Sequence, residues 1–400
     1  MPGPRTRYVP VMPLPALLSC FAATAPGTES LLRDELGALG ISADAGSEPG
    51  GVEFSASHVQ LATSLLWLRT ATRVTVRQAV FHARTFGELE RHAAKVTWTD
   101  VLAPGGAVHF RVTSKKSKLY HEDGIAERLE RAASAAIARL ECVRAPSAAE
   151  ALESDVTQLP AVQRIIVRVM RDDVTLSADA AGALLHLRGY RQAVAKAPLR
   201  ETLAATLLRA SGWNPQLPLL DPMCGSGTIP IEAALMSRRM APGRQRRFAA
   251  ERWPGLAPAF AEARREAASG ELPRAVASIV GQDRDAGAIA AAIANAERAG
   301  VATDITFAQA PISDVAREGG AGFVVTNPPY GARVGERSPL RDLYATLGAV
   351  MRERRGGWRL AMLSADRMLE GQLGMKVSEM LRTTNGGIPV RVVTTGEARR

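Results

Sequence analysis

Apolar and polar residues recur along this chain with two different periods, and the switches between them outline its elements. From Ser30 to Leu39, Leu31, Leu32, Leu36 and Leu39 stand at helical spacing, and Gly40 ends the pattern. Gly51 to Phe54 alternates as a short strand, and Val59 to Leu68 is apolar enough for a second helix. Val108 to Val112 alternates as a half-buried strand would. Ile125, Leu129, Ala132, Ala133, Ala136, Ile137 and Leu140 then return to helical spacing, and the segment around Pro146 reads as a loop. Ile165-Ile166-Val167 and Val174-Thr175-Leu176 read as paired strands around a turn at Asp172-Asp173.

From residue 190 onward, short apolar strands alternate with longer helical stretches, the pattern of a doubly wound parallel sheet. The expected strands are Leu217 to Leu220, Ser278 to Val280, Ile305 to Phe307, Phe323 to Val325 and Arg359 to Leu363. A helix is expected from Asp285 to Ala299, and a long basic insertion, roughly Ala241 to Pro273, separates the first two strands. The division that follows is an extension over 1–17, two small α/β units over 18–80 and 81–180, and a larger α/β domain over 190–400. Residues 1–17 read as a disordered extension or a start codon assigned too early. Arg5 and Arg7 before an apolar stretch ending at Cys20 faintly suggest an export signal, but Pro10, Pro13 and Pro15 interrupt it.

Composition changes this picture at a few points. Apolar residues make up 46% of the chain, and no uninterrupted apolar run is long enough for a membrane span. Cys20, Cys142 and Cys224 are widely spaced, so a reducing compartment is expected, and neither they nor the six histidines have metal-ligand spacing. The net charge of +10 is unevenly placed. Residues 1–180 carry 20 Lys+Arg against 20 Asp+Glu, whereas residues 181–400 carry 30 against 20. Arg238, Arg239, Arg244, Arg246, Arg247 and Arg252 form an arginine-rich run, and bidentate pairing with phosphate makes a nucleic-acid partner plausible. A bland reading stands beside it, since 44 Arg against 6 Lys also suits a GC-rich genome. Lys115, Lys116 and Lys118, beside Tyr120 and His121, are a second RNA-binding candidate.

The chemistry concentrates in two motifs. Asp221-Pro222-Met223-Cys224-Gly225-Ser226-Gly227-Thr228 follows the first strand and opens a helix. Two glycines let the backbone approach a ligand closely, and the missing Lys after them argues against a P-loop. The pattern is that of an S-adenosylmethionine loop. Asp283, at the end of the second strand, can accept both hydroxyls of a bound ribose; alternatively it only caps the next helix. Cys224 reads as a small buried filler rather than a nucleophile. Asn327-Pro328-Pro329-Tyr330 follows the fourth strand. The Asn327 side-chain carbonyl and the Pro328 carbonyl can each accept a hydrogen bond from one exocyclic amine. The prolines force the backbone out of the sheet, and Tyr330 can stack on a base.

These segments occur in a set order: Leu185-His186-Leu187-Arg188-Gly189-Tyr190-Arg191, Pro198 to Ala204, the glycine loop, then Asn327 to Gly331. The chain thereby resembles the bacterial THUMP-containing 23S ribosomal RNA guanine-N2 methyltransferases, over nearly its whole length from Ser19. The resemblance implies a ferredoxin-like unit, a THUMP RNA-binding domain and a Rossmann-like class I methyltransferase domain. It also implies S-adenosylmethionine as cofactor, ribosomal RNA as partner, and a cytoplasmic site of action without metal or membrane; the alternatives are a tRNA guanine-N2 methyltransferase of the same architecture and a non-catalytic RNA-binding assembly factor. By matching position, Asp221, Gly225 and Gly227 line the methionine part of the cofactor, Ser226 and Thr228 also belong to its binding loop, Asp283 holds its ribose, and the segment around Thr202 covers it. Asn327, Pro328 and Tyr330 hold the base.

The chain departs from that pattern in two places. Pro311 stands where such enzymes often place an Asp near the adenine, which leaves Asp314 as the candidate substitute. Some members carry a second methyltransferase domain after the first, so a chain ending at Arg400 is expected to perform one methylation.

Overall fold

The computed structural model describes residues 15–44, 49–144, 155–192, 199–330 and 337–396. The expected extension up to residue 14, the loop around Pro146, Pro198 and Gly331 lie outside the described residues.

The N-terminal half is built on one sheet. In chain order it runs β1 (Leu18–Thr24), α1 (Glu29–Ala38), β2 (Gly51–Ala56), α2 (His58–Trp67), β3 (Ala71–His82), α3 (Phe86–Ala93), β4 (Ala107–Lys115), α4 (Glu122–Ala136), β5 (Glu141–Cys142), β6 (Val162–Met170) and β7 (Asp173–Asp179). The strand order is β2-β1-β3-β7-β6-β4-β5. The long strand β3 pairs with β1 on one side and β7 on the other, so the boundary expected at residue 80 falls inside a strand. The two expected small units therefore share one continuous sheet. Alternation decides its faces: Val108 and Phe110 point into the core, as do Ile165, Val167 and Val169. His109, Arg111 and Lys115 of β4, with Arg164 and Arg168 of β6, point the other way.

The C-terminal half continues with α5 (Glu201–Ala210), β8 (Leu219–Asp221), α6 (Thr228–Ser237), α7 (Ala257–Ser269), β9 (Ile279–Asp283), α8 (Ala286–Ala299), β10 (Ile305–Gln309), β11 (Phe323–Thr326), α9 (Arg337–Arg354), β12 (Arg359–Ser364), α10 (Arg367–Gln372), β13 (Ser378–Asn385) and β14 (Ile388–Thr394). Its strand order is β10-β9-β8-β11-β12-β14-β13. The five expected strands are present and parallel, while β14 runs antiparallel to β12. The closing hairpin β13–β14 was not expected. β13 buries only Thr383, although β14 buries Val390, Val392, Val393 and Thr394 and the tip Asn385-Gly386-Gly387-Ile388 carries a hairpin turn signal.

The basic insertion is not a solvated arm. Phe248, Trp253, Leu256 and Phe260 join the hydrophobic core of the N-terminal half, where α7 packs against α2. The rings of Phe248 and Phe260 stack with centroids 5.8 Å apart. Burial of each such side chain contributes roughly 1.5–3 kcal/mol, so the insertion binds the two halves together.

This overturns the expectation for Arg246. Its side chain is fully buried, with Nη1 donating to the carbonyls of Leu184 and Leu187 at 2.6 and 2.7 Å, and Nη2 to Ala183 at 2.8 Å. A guanidinium committed to three carbonyls in the interior cannot reach a phosphate. Arg244 donates to the Ala299 carbonyl at the end of α8, where a cation also meets the negative end of the helix dipole. Arg247 pairs with Glu251 at 2.7 Å on the surface. Arg238 serves the carbonyls of Leu272 and Gly300. Half of the arginine-rich run, Arg238, Arg244 and Arg246, is mortar between segments, while Arg239 and Arg252 are exposed.

A second buried joint lies between the halves. Glu232 of α6 is fully buried and faces Arg69 at 3.8 Å and Arg188 at 3.5 Å, and it accepts from Tyr190 Oη at 3.2 Å. Arg188 in turn donates to the Arg69 carbonyl, and Arg69 to the Met240 carbonyl.

Candidate active site

Strand β8 is central, with β9 on one side and β11 on the other, so the sheet changes winding direction there. Ligands of such sheets bind at the carboxyl ends of the strands beside that switch point. Asp221 ends β8, Asp283 ends β9, and Asn327 follows β11, so all three predicted positions converge on one edge.

Asp221 is buried. Its Oδ1 accepts from Thr326 Oγ1 at 2.7 Å and from the Met223 N–H at 3.2 Å. Burial pushes its carboxyl up to about 7; the Thr326 hydroxyl and the Met223 N–H pull the other way, and the charge of Asp283 adds to the rise. Thr326 therefore ties the glycine loop to the strand that carries Asn327. Sequence reasoning missed it, although its place directly before Asn327 was a signal.

The loop after Asp221 is shaped by two glycines in left-handed backbone, Gly225 at φ 52° and Gly227 at φ 84°. A Cβ on Gly227 would sit 2.9 Å from Ala292 Cβ of α8, whereas one on Gly225 would meet nothing within 4 Å. The first glycine thus borders open space, and the second allows close helix packing. The Cys224 N–H donates to the Gln282 carbonyl, and Asn295 Nδ2 to the Ser226 carbonyl, which anchors the loop on both flanks. Gln282 and Asn295 were not anticipated. Thr228 is buried in the first turn of α6, and burial raises the Cys224 thiol well above its ordinary value, in keeping with an inert filler.

Asp283 is oriented by two backbone donors, the Gly225 N–H at 2.9 Å and the Asp285 N–H at 3.0 Å. The helix that follows is capped by Asp285, which accepts from the Ala288 N–H. The alternative role of Asp283 as that cap is therefore taken by a neighbour. Thr202 is buried in the first turn of α5, which packs along α6. Beside it, burial pushes Glu201 up to about 7, opposed by Arg191 at 2.8 Å. Asp314 lies in the turn after β10, exposed, and accepts from Ser313 Oγ. The carbonyl of Pro311 accepts from Gln282 Nε2 at 2.7 Å, so that segment is fixed by its backbone.

At the other motif, Asn327 Oδ1 is buried and has no hydrogen-bond partner among the described residues. Tyr330 is half-buried, and its hydroxyl accepts from Asn385 Nδ2 at 2.6 Å.

Comparison with known proteins agrees with this geometry. Residues 188–394 match the UPF0020 family, described as the RMKL-like methyltransferase domain. The chain belongs to this family. Residues 19–75 match the RlmL ferredoxin-like domain, which lies within the N-terminal sheet. A Synechocystis protein named "Putative RNA methyltransferase slr0064" is 32% identical over 371 residues, covering 92% of this chain and 94% of the relative. The ribosomal RNA large subunit methyltransferase K/L of Syntrophotalea carbinolica is 34% identical. That match covers 93% of this chain but 53% of the relative, so the chain spans about half its length. The solved structure of SMU.472, in complex with SAH, has a TM-score of 0.83 at 28% identity, covering 97% of this chain and 100% of that one. This UPF0020 chain has the fold of S-adenosylmethionine-dependent methyltransferases.

Proposed function

We propose that this protein methylates the exocyclic N2 amine of a guanine in large-subunit ribosomal RNA, by direct transfer from S-adenosylmethionine. The observation that carries the reading is Asn327 Oδ1. A buried acceptor left without a partner costs roughly 1–3 kcal/mol, and this one, unpartnered among the described residues, stands at the carboxyl end of β11, beside the glycine loop. A donor from the substrate is the natural occupant. The cradle suits the cofactor: space over Gly225, an oriented Asp283 carboxylate, and a buried acid at Asp221.

When bound, S-adenosylmethionine supplies a methyl group on a positively charged sulfur. Asn327 Oδ1 and the Pro328 carbonyl accept the two N–H groups of the amine and aim its lone pair along the line of transfer. These acceptors also favour the positive charge that develops on the nitrogen. The amine held by Asn327 and Pro328 would form the new bond to the methyl carbon, leaving the carbon–sulfur electron pair on sulfur, and the methylated amine would then shed a proton to water. Tyr330 stacks on the base, which must leave its own stack to enter, so an unpaired or locally opened nucleotide is favoured.

The RNA is held by the N-terminal half in this reading. The Lys115–Lys118 loop is pinned by Ser114 and Ser117: Ser114 Oγ donates to the Leu119 carbonyl, and the Asp172 N–H donates to Ser117 Oγ. It presents three exposed lysines next to the exposed ring of Tyr120. Arg111 and Arg168 extend that basic surface over the outward face of the sheet. Ribosomal RNA as substrate also implies a cytoplasmic site of action. The test is methyl transfer from labelled S-adenosylmethionine to separated 23S rRNA, tRNA and DNA, followed by nucleoside analysis. N2-methylguanosine in 23S rRNA supports the reading. The same nucleoside in tRNA keeps the chemistry and changes the partner, and N6-methyladenine in DNA overturns both.

A further inference from the structure

We propose that Asn385, at the tip of the C-terminal hairpin, is a positioning residue that sets the ring of Tyr330 for stacking on the target base. The inference rests on the reading of Asn327 to Tyr330 as the base site.

Three observations support it. Asn385 Nδ2 donates to Tyr330 Oη at 2.6 Å, a direct side-chain link between residues far apart in sequence. The tip that carries Asn385 is fixed: Asn385 pairs with Ile388, and Gly386 and Gly387 both adopt positive φ, 58° and 86°, as a tight two-residue turn requires. The strand leading to it is buttressed from the N-terminal half. Gly27, at φ 83°, lies so close to the Arg382 carbonyl of β13 that any side chain there would collide with it.

The chemistry of the link is specific. Tyr330 follows two prolines that have taken the backbone out of β11, so among the described residues no sheet hydrogen bonds hold it. The ring packs on the methyltransferase core, and with nothing at its far end it would be free to swing. A hydrogen bond at the far end of the ring removes that swing. The phenol accepts from Asn385 and keeps its own O–H as a donor. A stacking surface that holds the base within the tolerance of an in-line transfer needs this kind of second support, because small misplacements cost large factors in rate.

The test uses the full-length protein, labelled S-adenosylmethionine and protein-free 23S rRNA transcribed in vitro, with S-adenosylhomocysteine affinity from calorimetry as an independent readout. Asn385→Leu keeps the size and removes the donor. It is expected to lower kcat roughly ten- to a hundredfold while S-adenosylhomocysteine affinity stays unchanged. Asn385→Asp should recover most of the rate, because its carboxylate accepts the hydrogen bond that the Tyr330 hydroxyl can donate. Tyr330→Phe should fall to the level of Asn385→Leu, and the double variant should fall no further. The proposal is overturned by a wild-type rate in Asn385→Leu, by losses that multiply in the double variant, or by a parallel loss of S-adenosylhomocysteine affinity. If the wild type methylates tRNA or DNA instead, the substrate reading fails and the same variants are measured on that acceptor. Inactivity of the wild type on all three overturns both.

Discussion

Cofactor affinity should depend on pH through Asp221. Burial holds this carboxyl at about 7, against 3.8 for a free aspartate. Among the described residues its bonds are to Thr326 and the Met223 N–H, neither of them cationic. S-adenosylmethionine brings a sulfonium and an ammonium, and binding these favours the ionised acid. Below pH 7, binding must therefore expel a proton, and each pH unit weakens affinity about tenfold, or ~1.4 kcal/mol. Between pH 7, where the acid is already half protonated, and pH 5.5 the expected loss is about 16-fold. Calorimetric titration over pH 5.5–8, in two buffers of different ionisation enthalpy, measures both the affinity and the proton released. Asp221→Asn should bind more weakly at pH 8 and lose the slope. Glu201 is the competing group, since it also sits at about 7, so Glu201→Gln must keep the slope. A flat affinity in the wild type, or an unchanged slope in Asp221→Asn, would refute the reasoning. The same shift bears on stability with the opposite sense. The folded protein holds a proton that the unfolded chain loses, so this contribution falls as pH rises from about 3.8 to about 7.

Other consequences follow from single residues. Asn327→Ala should lower turnover by two orders of magnitude or so while leaving S-adenosylhomocysteine affinity in place, and equal losses in both would argue against a base-holding role. Glu232→Ala strands Arg69 and Arg188 in the interior and should destabilise the fold by roughly 3–5 kcal/mol, read as a lower urea midpoint; a loss under about 1 kcal/mol would show that backbone carbonyls alone satisfy the pair. Replacing Lys115, Lys116 and Lys118 with alanine should weaken RNA binding and flatten its dependence on salt, by about one slope unit for each phosphate no longer neutralised. Arg246→Ala should instead lower stability and leave that salt slope unchanged, because its partners are the carbonyls of Ala183, Leu184 and Leu187.

The methyltransferase sheet was legible because each strand is a short apolar run whose chemistry begins at its carboxyl end. Asp221, Asp283 and Asn327 could be assigned to one site once the strand order was taken as that of a doubly wound sheet. The interactions that tune the site were not legible. Thr326 on Asp221, Asn295 on Ser226 and Asn385 on Tyr330 join residues 105, 69 and 55 positions apart, and no local period marks them. The continuity of the N-terminal sheet was hidden for a related reason. A turn can be read from composition, but β3 continues through residue 80 and pairs along both edges, which only the fold reveals.

The arginines show the limit of charge as evidence. Net charge measures what a chain carries, whereas nucleic-acid binding depends on what it leaves in water. Arg246, Arg188 and Arg69 are buried, and each satisfies its planar fork largely with backbone carbonyls, a geometry that a lysine ammonium would fill less completely. The positive half of the sequence thus uses much of its charge to join segments. The neutral half pairs many of its acids internally, as Arg73 and Arg164 do with Asp179 and Arg77 with Glu53, yet leaves Lys115, Lys116, Lys118 and Arg111 exposed. The half whose formal charge is zero thus still presents a cluster of cations to water on one surface. The joint built by the buried arginines is what can hold that surface in register with the methyl-transfer site.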